Sequence, residues 1–118
     1  MENWKPILGY NGRYEVSDHG RVRSRALAEA RYITPTSNGT GYLQVRFSMK
    51  RKRVAVYLHR LVALYFVDGH SDELEVDHID NNKSNNHYKN LRWVTRLENM
   101  RKCHEDNPHI MSDLNQGK

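Results

Sequence analysis

The segment from Leu74 to His104 constrains the fold of this chain more than any other. Leu74–His78 and Leu91–Val94 read as short strands, and the stretch between them, Ile79–Asn90, is a loop carrying Asn81, Asn82, Asn85 and Asn86. Asparagine tolerates left-handed backbone angles and bonds its own backbone, so these four are expected to shape the loop. Thr95 with Glu98 three residues later is a capping box, which starts a helix expected from Thr95 to about His104 and fixes Asn99 in its first turns. Such a strand-loop-strand-helix unit can gather polar side chains without a large core.

The polar side chains within that unit form a chemical set. Asp77 and His78 are adjacent, Asn90 follows the histidine by twelve residues and Asn99 follows nine residues later. A carboxylate and an amide oxygen can ligate a hard divalent ion. An imidazole with an ordinary pKa of about 6.5 can take a proton from water at neutral pH. Adjacent residues on a regular strand face opposite sides, so the Asp77–His78 pair is expected where the strand ends or twists into the loop. An aspartate-histidine pair alone is often a surface dyad; the two asparagines at these spacings give it weight. Asp80 reads as a turn residue rather than as a carboxylate supporting a metal, and Trp93 as core rather than a base-stacking platform.

The rest of the chain supplies charge and a modest core. With 118 residues, 37% hydrophobic and 28% charged, and a mean hydropathy of −0.90, one α+β domain is the simplest organisation. The net charge of +5 favours an anionic partner, nucleic acid before a membrane surface. Between Arg31 and Val67 there is no acidic residue, while Arg46, Lys50, Arg51, Lys52, Arg53 and Arg60 are basic; from Asp68 to Asn82 the sign inverts. A basic surface beside a carboxylate-rich segment suits phosphates held near a cation. Two hairpins are expected, Tyr14–Val16 with Arg21–Arg23, and Gly41–Met49 with Val54–Tyr57, the second tipped by Lys50 to Arg53. Thr34–Gly41 reads as a loop, and Leu58, Leu61, Val62 and Tyr65 mark a helix from about Tyr57 to Phe66. His59 lies off that stripe and reads as a satisfied polar side chain bracing the helix, with a phosphate contact as the alternative. No apolar stretch approaches the roughly 18 residues of a membrane span. Met1–Trp4 lacks a signal pattern, and a single cysteine, Cys103, excludes an intrachain disulfide and suits a reducing, cytoplasmic setting.

Taken together, Val76–Lys83, Asn85–Asn86, Asn90–Thr95 and Glu98–Asn99 resemble the HNH endonucleases of the ββα-metal superfamily. Upstream, Trp4–Ile7, Tyr14–Ser17 and Gly20–Ser24 resemble the small DNA-binding motif that precedes this module in phage and intron-encoded homing endonucleases. The resemblance implies residues 1–56 as a β-rich DNA-binding motif, 57–104 as an HNH nuclease core and 105–118 as a polar tail expected to fray. It implies a DNA endonuclease acting on duplex DNA, in which His78 is the general base and Asn90 braces the loop and orients His78. Asp77 and Asn99 would hold one divalent ion, Mg²⁺ or Mn²⁺, and the products would carry 5′-phosphate and 3′-hydroxyl ends. Arg46, Lys50, Arg51, Lys52, Arg53, Arg60, Arg92, Arg96, Arg101 and Lys102 are the candidate DNA contacts. The zinc-stapling cysteines of some relatives are missing, so no structural zinc is expected. Only about a dozen polar residues follow the last helix, where many homing relatives carry a helix-turn-helix, so target selectivity is expected to rest on the amino-terminal hairpins. One active site attacks one strand: a monomer would nick, and a double-strand break needs a dimer or two events. A catalytically silent DNA-binding protein is the alternative, with an RNA-directed module and a purely structural protein ranked below it.

Overall fold

The computed structural model describes residues 1–25, 30–37, 39–49 and 52–106. Its elements run β1 (Trp4–Pro6), β2 (Tyr14–Ser17), β3 (Val22–Ser24), β4 (Arg31–Ile33), β5 (Thr36–Ser37), β6 (Leu43–Met49), β7 (Lys52–Tyr57), α1 (Leu58–Phe66), β8 (Glu75–His78), a 3₁₀ turn at Tyr88–Asn90, β9 (Leu91–Val94) and α2 (Arg96–Asp106). Three antiparallel sheets result, ordered β1-β2-β3-β4, β5-β6-β7 and β8-β9.

Alternation explains the first two sheets. Tyr14 and Val16 on β2, Val22 on β3, and Val45 and Phe47 on β6 are buried, while Arg46 and Ser48 on β6 are exposed. The Tyr14 hydroxyl joins the two sheets, donating to the Ser48 carbonyl and accepting from the Ser48 amide, each at 3.0 Å. The Tyr14 and Phe47 rings meet at 4.7 Å.

Helix α1 ties the sheets together. The chain passes from β7 through an extended Tyr57 directly into it. Leu58, Leu61 and Val62, at helical spacing, are buried together with Ala63, and the helix packs on β2, β6, β7, β8 and β9. One helix therefore holds all three sheets. Burying the Leu58 side chain alone contributes about 1.5–3 kcal/mol. Among the described residues, no helix is long and apolar enough to cross a membrane.

Several boundaries differ from the sequence reading. β7 begins at Lys52, with Lys52 opposite Met49 and Arg53 opposite Ser48, so these two cations lie in the ladder rather than at its tip. Lys50 and Arg51 fall outside the described residues. Within the expected loop, Thr36 and Ser37 pair with Gln44 and Leu43 as an edge strand. Such pairing uses backbone groups alone and leaves no apolar pattern to read. Strands β1 and β4 escaped notice for a related reason: three residues are too few for an alternation to register. Helix α2 runs to Asp106, two residues beyond the expected end, so the first two residues of the expected 105–118 tail are helical; residues 107–118 lie outside the described residues.

Candidate active site

The site is built at the carboxyl end of β8. Asp77 sits opposite Arg92 and His78 opposite Leu91 in the β8–β9 ladder. As expected for residues at a strand end, the ladder closes there: the Ile79 amide donates to the Asn90 carbonyl at 2.8 Å, and the Asn81 amide to the His78 carbonyl at 3.0 Å. Asn81 takes a left-handed φ of +64°, the conformation that asparagine tolerates. Both Asp77 and His78 are buried, at 6% and 5% exposure, which distinguishes them from a surface dyad.

The two side chains have different neighbours. The Asp77 carboxylate accepts from Arg92 Nε at 2.8 Å. His78 Nε2 lies 2.7 Å from Asn86 Oδ1, and both side chains are buried. An amide oxygen only accepts, so Nε2 carries the hydrogen and Nδ1 is the basic nitrogen of the neutral ring. The His78 ring also packs 5.0 Å from His59 and 5.9 Å from Tyr42. His59 therefore packs on the His78 ring and is not the satisfied polar side chain expected from its place off the apolar stripe. Its Nδ1 is buried without a hydrogen-bond partner, and burial, reinforced by His78 and Arg60, pulls its pKa down from 6.5 to about 4. It is neutral at neutral pH.

Asn90 acts on the loop. Its Oδ1 accepts from the Asp80 amide at 3.1 Å, and its Nδ2 donates to Asp80 Oδ1 and to the Asn85 carbonyl, both at 2.9 Å. The Asp80 carboxylate also accepts from Asn85 Nδ2 at 2.9 Å and the Asn82 amide at 2.8 Å. These bonds, led by the one from Asn85, hold its pKa below 3.8. Asp80 is therefore a turn residue and the hub of the loop. The amide seen on the His78 ring belongs to Asn86, whereas Asn90 supports the loop between them.

Asn99 enters from α2. The capping box forms in both directions: the Thr95 amide donates to Glu98 Oε1 at 2.9 Å, and the Glu98 amide to Thr95 Oγ1 at 3.1 Å. The Asn99 amide then closes the first turn on the Thr95 carbonyl at 3.0 Å. Helix α2 packs against β8 and β9, and Asn99 is half-buried on it. Trp93 is half-buried, its Nε1 donating to the Val67 carbonyl at 3.1 Å.

The candidate DNA contacts divide by position. Arg46 and Arg53 share the outward face of the β6–β7 hairpin, and the exposed Lys52 stands on the other face. Arg60 on α1 and Arg96 and Arg101 on α2 are exposed. Arg92 is engaged with Asp77, although half of its side chain remains exposed. The Lys102 side chain, like Lys50 and Arg51, is outside the described residues. Sequence reasoning missed Tyr42 and Lys83: the Lys83 ammonium lies 4.5 Å over the Tyr42 ring and donates to the Thr40 carbonyl at 3.0 Å. It also missed a stack on the first sheet, where Arg23 lies 4.0 Å over Trp4 and Arg21 4.5 Å over Tyr32. Lysine and arginine spacing gave no sign of either, because the aromatic partners come from distant parts of the sequence.

Comparison with known proteins gives two family matches. Residues 2–48 match the family model described as the NUMOD4 motif, and residues 56–101 match that of the HNH endonuclease. The chain is 39% identical over 97 residues to DNA endonuclease I-HmuI of Bacillus phage SP01, covering 82% of this chain and 55% of that protein. It is 36% identical over 113 residues to H-N-H endonuclease F-TflII of Escherichia phage T5, covering 94% of this chain and 57% of that protein. A solved structure describing DNA binding and cleavage by the HNH homing endonuclease I-HmuI superposes with a TM-score of 0.81 at 36% identity, covering 88% of this chain and 59% of that one. The chain thus spans a little over half the length of these relatives. In its HNH endonuclease match, its sequence and its fold, this chain is similar to the HNH homing endonucleases.

Proposed function

We propose that this chain is a metal-dependent DNA endonuclease that hydrolyses phosphodiester bonds in duplex DNA to leave 5′-phosphate and 3′-hydroxyl ends. The observation that carries the reading is the buried His78, held by Asn86 at 2.7 Å, beside the buried Asp77 at the end of β8. His78 is the general base. With its hydrogen on Nε2, the ring takes the proton of the attacking water at Nδ1. Asn90 keeps the loop that flanks His78 in shape, and the packing of His59 and Tyr42 on the ring limits its rotation.

Asp77 and Asn99 hold one divalent ion, Mg²⁺ or Mn²⁺. Two oxygen donors fit an ion that completes its shell with water and phosphate oxygens. A carboxylate and an amide oxygen are hard donors, which suit such an ion better than the sulfur and imidazole ligands of a closed zinc site would. When bound, such an ion supplies positive charge at the scissile phosphate and at the leaving 3′ oxygen. Arg46, Lys52, Arg53, Arg60, Arg96 and Arg101 bind backbone phosphates, with Arg92 dividing its guanidinium between Asp77 and the DNA. The same role is assigned to Lys50, Arg51 and Lys102.

The test is conversion of supercoiled plasmid with Mg²⁺ or Mn²⁺, alongside EDTA and a folded His78→Ala variant. Open-circle or linear product that is lost in both controls is expected. Duplex binding without cleavage, with a natural target included, would replace this reading by that of a silent DNA-binding protein.

A further inference from the structure

The general base is not supported by the HNH segment alone. Asn86, whose Oδ1 meets His78 Nε2, is backed by the turn between β2 and β3. Gly20 in that turn has a φ of +87°, and a Cβ there would stand 2.6 Å from the Asn86 carbonyl oxygen and 2.9 Å from Asn86 Cβ. The backbone of Gly20 therefore lies directly against Asn86. Two residues along, the Tyr88 amide donates to the Asp18 carbonyl at 2.8 Å, and the His87 and His19 rings meet at 4.8 Å.

The turn itself is stiff. The Ser17 hydroxyl accepts from the His19 and Arg21 amides at 3.2 and 3.1 Å. The Asp18 carboxylate accepts from the Asn3 amide and side chain at 3.0 and 2.9 Å, and the Asp18 amide returns a bond to the Asn3 carbonyl. Ser17 and Asp18 are both buried. A turn that served only to join two strands would not need the contacts that Gly20, Asp18 and His19 make with Asn86, Tyr88 and His87.

We propose that the Ser17–Gly20 turn is part of the catalytic apparatus: it clamps the backbone at Asn86, and Asn86 in turn fixes the tautomer and orientation of His78. Asn86 and Gly20 are positioning residues, acting through His78 and not on the DNA. The amino-terminal motif then has a second task besides any contact with DNA. This inference rests on the assignment of His78 as the base.

The test combines single-turnover cleavage, duplex affinity and the ¹⁵N signature of the His78 ring by NMR. In the unmodified protein at neutral pH, the ring is expected as the Nε2–H tautomer; the Nδ1–H form would overturn the proposal without any substitution. Asn86→Ala is expected to slow cleavage about a hundredfold, as misplacing a reacting group does, with affinity unchanged and the Nε2–H signature lost. Asn86→Asp, whose carboxylate can accept the same hydrogen, should recover the tautomer and most of the rate. Gly20→Ala should reproduce the Asn86→Ala defect, and the double variant should be no slower than Asn86→Ala alone. If His78→Ala is inactive while folded Asn86→Ala cleaves at the parental rate, this proposal fails and the base assignment stands. If folded His78→Ala cleaves at the parental rate, the base assignment fails and takes the proposal with it.

Discussion

Arg92 Nε lies 2.8 Å from Asp77 Oδ2, directly across the β8–β9 ladder, so the residue assigned to hold a cation already faces one supplied by the protein. The pair is lopsided: the Asp77 side chain is 7% exposed and that of Arg92 51%. The buried carboxylate depends on the partner more than the arginine does. Arg92→Ala should lower stability by about 1–3 kcal/mol, less than a fully buried pair because solvent screens the guanidinium. Urea unfolding measures this. Saturating Mg²⁺ should stabilise Arg92→Ala more than the parent, since it then supplies the missing positive charge, and equal stabilisation of both proteins would count against Asp77 as a ligand.

Asn90 satisfies three groups of the asparagine loop at once. Asn90→Ala removes all three bonds and is expected to cost about 1–3 kcal/mol, with cleavage falling further than the stability loss explains. The pH dependence arises at Asp80. Its folded pKa is depressed below 3.8, so its contribution is complete above the ordinary aspartate value and is lost as pH falls through the folded one. Asn90→Ala should shrink that acid-side loss in a pH series of unfolding curves.

For His59 the sign is opposite in origin and the same in effect. Its pKa is about 4 in the folded protein against 6.5 unfolded, so between these values the unfolded chain binds more protons. Stability should therefore rise as pH increases from about 4 to 6.5 and level off above. His59→Phe keeps a ring against His78 and Tyr42, removes a buried nitrogen without a hydrogen-bond partner, and should flatten this slope. An unaltered slope would mean that His59 is not the group responsible.

Arg46 and Arg53 share the outward face of one hairpin and should act as phosphate contacts. Replacing either by Ala should weaken binding to unrelated duplexes alike and reduce the slope of log affinity against log salt by about one. Fluorescence anisotropy across a salt series reads this directly. A slope unchanged in both variants would move the DNA to another face.

Much of the site was legible because local rules governed it. The Thr95–Glu98 box, the strand end at His78 and the turns at Asn81 and Asn82 depend on neighbours in sequence, and all are present in the structure. The helix stripe of Leu58, Leu61 and Val62 was legible for the same reason. What escaped was long-range. Asn86 could not be singled out from three neighbouring asparagines until Gly20 and His78 were brought to it from either side. The engagement of Arg92 with Asp77 depends on strand register, which the two short segments did not specify.

The double contact of the Tyr14 hydroxyl with Ser48 has a consequence for how these molecules behave in a crowded solution. Among the described residues β5 pairs with β6 at Leu43 and Gln44, which leaves the rest of that strand with backbone groups turned away from β7. Exposed strand edges recruit other chains and seed aggregates. A single side chain that both donates and accepts at Ser48 satisfies the backbone of that residue as a further strand would, leaving an incoming chain no free pair of groups there.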